Sequence, residues 1–165
     1  MSTSRCGLMK TSAPTNKVVI AILRVYLVDN NELELQATEA ALSRLKEDIK
    51  VVGSSTCSEA AMKEILILKP NLVISDLYMK KMGGIGLMSA LKAAGAECEF
   101  IILSQSWSPE AMRKFMHSGG HDFLLKPLDL QEMEKTLMQL QQDCALPLPH
   151  INKRGTGGYY DLFKL

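Results

Sequence analysis

The feature that most constrains this chain is a fivefold alternation between two hydrophobic periods. Apolar runs of strand length recur at residues 25–28, 49–52, 72–75, 100–103 and 122–125, and each is followed by a stretch whose apolar residues return at helical spacing. Leu33, Ala37, Ala40, Ala41 and Leu45 share one helix face, and Ala60, Ala61, Ile65 and Leu68 share the next. Residues 85–91, 111–116 and 130–140 continue the series. The runs are nearly continuous rather than alternating, which suits strands buried on both faces. Five strand-then-helix units of this kind predict an α/β fold, a five-stranded parallel sheet with helices on each side.

Local punctuation supports the same division. Ser108, Pro109 and Glu110 read as an N-cap followed by proline at the first helical position, and Asp129 is placed to cap the last helix. Gly53, Gly95 and Gly119 fall where elements are expected to stop. Residues 1–17 are rich in Ser and Thr and poor in apolar side chains, so they read as a flexible leader. Residues 18–142 form the single domain, and residues 143–165, with Pro and Gly punctuation and a YYDLFKL end, read as a C-terminal tail. Composition excludes several classes. Lys and Arg total 19 against 18 for Asp and Glu, so no overall field draws the chain to nucleic acid or an anionic membrane surface. Cys6, Cys57, Cys98 and Cys144 show no C-x-x-C pair, which fits reduced thiols in the cytoplasm better than a disulfide or zinc framework. The early apolar run at residues 18–23 is broken by Arg24, far short of the ~20 residues a membrane span needs.

In an open doubly wound sheet, chemistry gathers at the carboxyl ends of the strands. After the first strand come Asp29, Asn30 and Asn31; after the third, Asp76; after the fourth, Ser104 and Gln105; after the fifth, Lys126 and Pro127. Carboxylates, an amide, a hydroxyl and an ammonium in one crevice suit phosphoryl transfer to a carboxylate. Asp29, Asn30 and Asp76 are hard oxygen ligands of the kind magnesium takes. Asp76 would be the nucleophile, and Ser104 and Lys126 would bind the moving phosphoryl group. Asn30 and Asn31 stand equally well as caps of the first helix or as metal ligands.

The segments VYLVDNN, VISDLYMKKMGG, IILSQS and DFLLKP, in that order, resemble the receiver domain of bacterial response regulators over roughly residues 24–142. The resemblance implies a flavodoxin-like sheet of strand order 2-1-3-4-5. It implies Asp76 as phosphoacceptor, Asp29 and Asn30 as the acidic pair, and the Tyr78 carbonyl as the last protein ligand of Mg2+. It also implies Ser104 as switch hydroxyl, Phe123 as switch aromatic and Lys126 as phosphate-binding lysine. Expected partners are a sensor histidine kinase or phosphotransfer protein, and a downstream protein reading the face from the fourth to the fifth helix, with a homodimer as a further option. The chain departs from the family pattern at four places. Asn30 replaces an acid, Lys80 replaces proline, Gly83 replaces Asp in Met-Asp-Gly, and Gln105 replaces a small residue; Lys80 and Gln105 are expected to modulate the site, and Lys81 adds charge beside it.

The expected function is a stand-alone switch that assists its own phosphorylation rather than a turnover enzyme, with no direct contact to nucleic acid or membrane. Two alternatives accompany it: a degenerate receiver serving as a phosphorylation-independent binding module, and the receiver half of a longer DNA-binding regulator. A dehalogenase-type phosphatase would want Asp-x-Asp where the chain has Asp76, Leu77, Tyr78, and a flavodoxin would want a hydroxyl-rich loop where it has DNNE. His117 and His121 are separated by Gly119 and Gly120, against a helical metal pair. Met112, Met116, Met133 and Met138 read as core, and Trp107 as a core anchor or part of the output face.

Overall fold

A computed structural model describes residues 22–45 and 48–145. The leader and most of the expected tail lie outside the described residues. Ten elements alternate: β1 (Leu23–Val28), α1 (Glu32–Leu42), β2 (Ile49–Ser55), α2 (Ser58–Leu68), β3 (Leu72–Asp76), α3 (Gly84–Ala93), β4 (Glu99–Ser104), α4 (Pro109–His117), β5 (Asp122–Leu125) and α5 (Leu130–Ala145). The last helix therefore runs past the expected boundary at Gln142. All neighbouring strands are parallel, in the order β2-β1-β3-β4-β5, as the sequence implies.

Side chains leave a strand on alternate faces, so each buried strand feeds two cores. Leu23, Val25 and Leu27 of β1, Leu72 and Ile74 of β3, and Ile101 and Leu103 of β4 pack with Leu35 and Leu42 of α1 and Met133, Leu137 and Leu140 of α5. On the opposite face Tyr26, Val73, Phe100, Ile102 and Phe123 pack with Ile65 of α2, Leu87, Met88 and Leu91 of α3 and Phe115 of α4. Every residue of β3 is buried, which places Asp76 at the end of the most enclosed strand. Among the methionines, Met133 is core and Met112 and Met116 pack against the second cluster, whereas Met138 is 41% exposed.

Several expected signals have the physical basis assigned to them. The Ser108 hydroxyl accepts from the Ala111 N–H at 3.2 Å and the Asp129 carboxylate from the Gln131 N–H at 2.8 Å, capping α4 and α5. Gly95 and Gly119 have φ of +80° and +86° just after α3 and α4, where a side chain would be strained. Gly53 is a correction: it lies inside β2 and ends nothing. A Cβ there would meet the Tyr26 ring at 2.7 Å, so the glycine makes room for a buried aromatic on the neighbouring strand, beside a register shift at Val25/Tyr26. Burial, reinforced by a 2.6 Å hydrogen bond to Glu64, drives the Tyr26 hydroxyl pKa well above its ordinary value.

Candidate functional site

The parallel register aligns the carboxyl ends of β1, β3 and β4 along one edge. Val28 pairs with Ser75, and Asp76 with Leu103, so Asp29, Asp76 and Ser104 emerge side by side. The chain leaving β5 adds Lys126. A cleft of about 550 Å³ opens there, its lining including Asp29, Asn30, Glu34, Asp76, Gln105 and Lys126, with Tyr78 and Lys80 from the loop after β3.

Lys126 is the centre of this arrangement. Its Nζ lies 2.7 Å from Asp29 Oδ2 and 3.0 Å from Asp76 Oδ1, and it also donates to Glu34 Oε2. Of the three N–H donors of an ammonium, two go to Asp29 and Glu34, and Asp76 stands beside them in ion-pair contact. Burial alone would lower the Lys126 pKa, but hydrogen bonds to Asp29, Glu34 and Asp76 outweigh it and hold the ammonium charged. The second oxygen of each aspartate is fixed by main chain. Asp29 Oδ1 accepts from the Asn31 N–H at 2.8 Å, and Asp76 Oδ2 accepts from the Tyr78 N–H at 3.1 Å. Burial raises the Asp76 pKa, and the neighbouring Asp29 charge adds to it, beyond what Lys126 pulls down.

The loop after Asp76 explains the adjacent glycines. A Cβ at Gly84 would lie 2.5 Å from the Asp76 carbonyl oxygen, and one at Gly83 would lie 2.6 Å from that of Leu77. Helix α3 therefore starts pressed against the end of β3, and the Gly84 N–H donates to Leu77 O at 3.1 Å.

The expected site residues divide into groups. Asp29, Asn30, Asp76, Tyr78, Lys80, Gln105 and Lys126 share the cleft. Asn31 caps α1, its side chain accepting from the Leu33 and Glu34 N–H groups, while Asn30 lines the cleft and is exposed. Lys81 does not add its charge to the cleft, because it pairs with Glu59 at 3.0 Å on the surface. Ser104 is fully buried and turned aside, its hydroxyl donating to Ser106 O at 2.9 Å. Phe123 is buried and meets the rings of Trp107 and Phe115 edge-on, at centroid distances of 6.2 and 6.4 Å.

Glu34 is the residue that the reading of strand ends misses. With Asn31 as N-cap, the stretch Asn31 to Glu34 has the spacing of a capping box, in which the glutamate would reach back to the cap's N–H. Asp29 takes that N–H instead, leaving Glu34 free to turn toward Lys126. Its other oxygen, Oε1, accepts from Gln105 Nε2 at 2.9 Å. Lys126 above all, and Gln105 to a lesser degree, lower the Glu34 pKa, against a smaller opposing effect of burial.

The donor set suits magnesium. Asp29, Asn30, Asp76 and Tyr78 offer oxygen atoms, and magnesium is commonly held by one or two carboxylates with several retained waters. The carboxylates of Asp29, Glu34 and Asp76 converge on Lys126 rather than on an open metal position. Among the described residues no helix is long and apolar enough to cross a membrane. Described Cys57 and Cys98 are free thiols.

Comparison with known proteins places this geometry. Residues 25–138 match the response regulator receiver domain. An uncharacterized response regulatory protein of Yersinia pestis is 34% identical over 127 residues, which cover 76% of this chain and 51% of that protein. An uncharacterized transcriptional regulatory protein of Bacillus subtilis is 27% identical over 112 residues, covering 68% and 56%. The chain thus spans about half the length of these curated relatives. The solved signal receiver domain of the response regulator NarL from Mycobacterium tuberculosis superposes with a TM-score of 0.67 at 26% identity, covering 76% of this chain and 97% of that one. With the 2-1-3-4-5 sheet, this is the flavodoxin-like receiver fold, and the chain belongs to the receiver domain family of two-component response regulators.

Proposed function

We propose that this receiver is a phosphorylation switch whose acceptor is Asp76. The observation that carries the reading is the buried contact of Asp76 with Lys126, which in turn contacts Asp29, three groups from three strand ends. Phosphoryl transfer asks the protein mainly for positioning and for charge against the moving oxygens. A carboxylate oxygen of Asp76 forms the new bond to phosphorus. The bond from phosphorus to the donor's histidine nitrogen or acyl oxygen breaks, and its electron pair leaves with the donor. Lys126 lies close enough to Asp76 to place an ammonium beside the transferred group. Asp29, Asn30, Asp76 and the Tyr78 carbonyl would hold magnesium, which when bound supplies further positive charge at the phosphoryl oxygens.

Signalling then requires the other side of the cleft to change. Ser104 would exchange its bond to Ser106 for one to the phosphoryl group, and Phe123 and Trp107 would adjust behind it, altering the face made by α4, β5 and α5. A cytoplasmic sensor histidine kinase or phosphotransfer protein would supply the group, and a target protein or a second copy of the chain would read the changed face. A second reading has its own support. The relatives extend well beyond the matched region, and one is named as a transcriptional regulator, which favours a longer regulator whose receiver is this chain; the reading frame on either side tests it.

The test is intact mass after incubation with acetyl phosphate, with magnesium or a chelator, for wild type and Asp76→Asn. A magnesium-dependent gain of one phosphoryl group in wild type alone is expected. No gain under any condition overturns the switch and favours a phosphorylation-independent binding module.

A further inference from the structure

The triple engagement of Lys126 raises a question that phosphorylation alone does not answer. Lys126 donates to Asp29 and Glu34 and lies 3.0 Å from Asp76 Oδ1, so a phosphoryl group on Asp76 would compete with the other two carboxylates for this ammonium. One carboxylate has to give way. Asp29 is tied on its other oxygen to the Asn31 N–H and is 5% exposed, and Asp76 is the acceptor itself. Glu34 is the removable partner. Its side chain is 30% exposed, it enters from the first turn of α1 rather than from a strand end, and its remaining oxygen accepts from the exposed Gln105.

The geometry points to Glu34 as an internal anion that occupies the phosphoryl-binding lysine in the unmodified protein, with Gln105 as the residue that holds it there. This rests on the reading of Asp76 as acceptor and deepens it. Glu34 and an incoming phosphoryl oxygen are both anions seeking the same ammonium proton, so they exclude one another. The bond of Gln105 to Glu34 Oε1 crosses the cleft from the loop after β4 to α1 and fixes the carboxylate in its blocking position. The large polar side chain beside Ser104 thus acts through Glu34 and does not obstruct the cleft on its own.

The test is the kinetics of Asp76 phosphorylation by acetyl phosphate in magnesium for wild type, Glu34→Gln, Gln105→Ala and the double variant. Loss of one charge-assisted bond at a partly exposed position corresponds to about tenfold. Glu34→Gln is therefore expected to be phosphorylated about tenfold faster at low donor concentration. The gain should reside in the half-saturating donor concentration, with the maximal rate little changed, whereas a merely structural role would lower the maximal rate. Gln105→Ala should move the same way by roughly two- to threefold, and in the Glu34→Gln background it should add nothing, since it acts through the same contact. Wild type phosphorylated on Asp76 with Glu34→Gln no faster overturns this inference and leaves the acceptor reading intact. Independent, multiplying effects of the two substitutions overturn the role of Gln105. No phosphorylation of any of the four proteins overturns the acceptor reading, and this inference with it.

Discussion

The two walls of the cleft meet at one edge of one sheet, yet they are held by different forces. On the wall from β1, β3 and the chain after β5, Asp29, Asp76 and Lys126 are bound to one another, and both aspartates are also pinned by backbone N–H groups. Moving any of these leaves a buried charge without its partner, a cost of several kcal/mol. On the wall after β4, the Ser104 hydroxyl is held by a neutral bond to Ser106, and Trp107 covers Phe123 while 53% exposed. Exchanging one neutral hydrogen bond for another costs about 1 kcal/mol or less. The difference marks where motion costs little: one wall is held by paired buried charges and the other by neutral contacts near the surface.

The largest break in this comparison is Lys126→Met. Two buried carboxylates would face each other without the ammonium, and unfolding in urea should show a loss of about 3–5 kcal/mol. Adding Asp76→Asn in that background should restore part of it, because one of the two charges is then gone; no recovery would mean the wall is held by packing instead. Trp107→Ala probes the other wall. It removes an edge-on ring contact but creates no buried charge, so a loss of about 1–2 kcal/mol is expected by the same measurement. Ser104→Ala should cost about 1 kcal/mol, since two neutral bonds to an exposed turn are lost, one of them long. A cost for Ser104→Ala equal to that of Lys126→Met would erase the distinction between the walls.

The finest test is the pH dependence of stability, because two carboxylates on Lys126 are shifted in opposite directions. Burial raises the Asp76 pKa, so the folded protein binds that proton more readily than the unfolded chain. Stability falls as pH rises from the ordinary carboxylate range through the raised value. Asp76→Asn should therefore gain on wild type as pH rises through this window. Lys126 lowers the Glu34 pKa, so its contribution is present above the ordinary range and is lost as pH falls through the lowered value. The disadvantage of Glu34→Gln should accordingly shrink in acid. Thermal unfolding of both variants from pH 3 to pH 7 would show opposite slopes; parallel slopes would contradict the assigned causes.

Much of this molecule is legible in its sequence, for identifiable reasons. The apolar runs of β1, β3 and β4 mark strands because burial on both faces leaves no room for alternation, and the caps at Ser108 and Asp129 mark helix starts through local hydrogen bonds. Asp29, Asp76 and Lys126 follow from strand ends, since a parallel register brings such ends together. What local signals cannot carry is the competition for a partner. Gly53 reads as a stop until Tyr26 is seen across the sheet needing its space. Glu34 reads as half of a capping box until Asp29 is seen taking the N–H that would have held it. Ser104 sits at the expected strand end, but its direction depends on a turn two residues on.

The measurement that tests the central claim most directly is chemical location of the phosphoryl group. Wild type treated with acetyl phosphate and magnesium would be reduced with borohydride, which converts an aspartyl phosphate to homoserine, and its peptides sequenced by tandem mass spectrometry. Homoserine is expected at position 76 and nowhere else. Reduction at Asp29 or Glu34, or a phosphorylated protein with position 76 still aspartate, would contradict it.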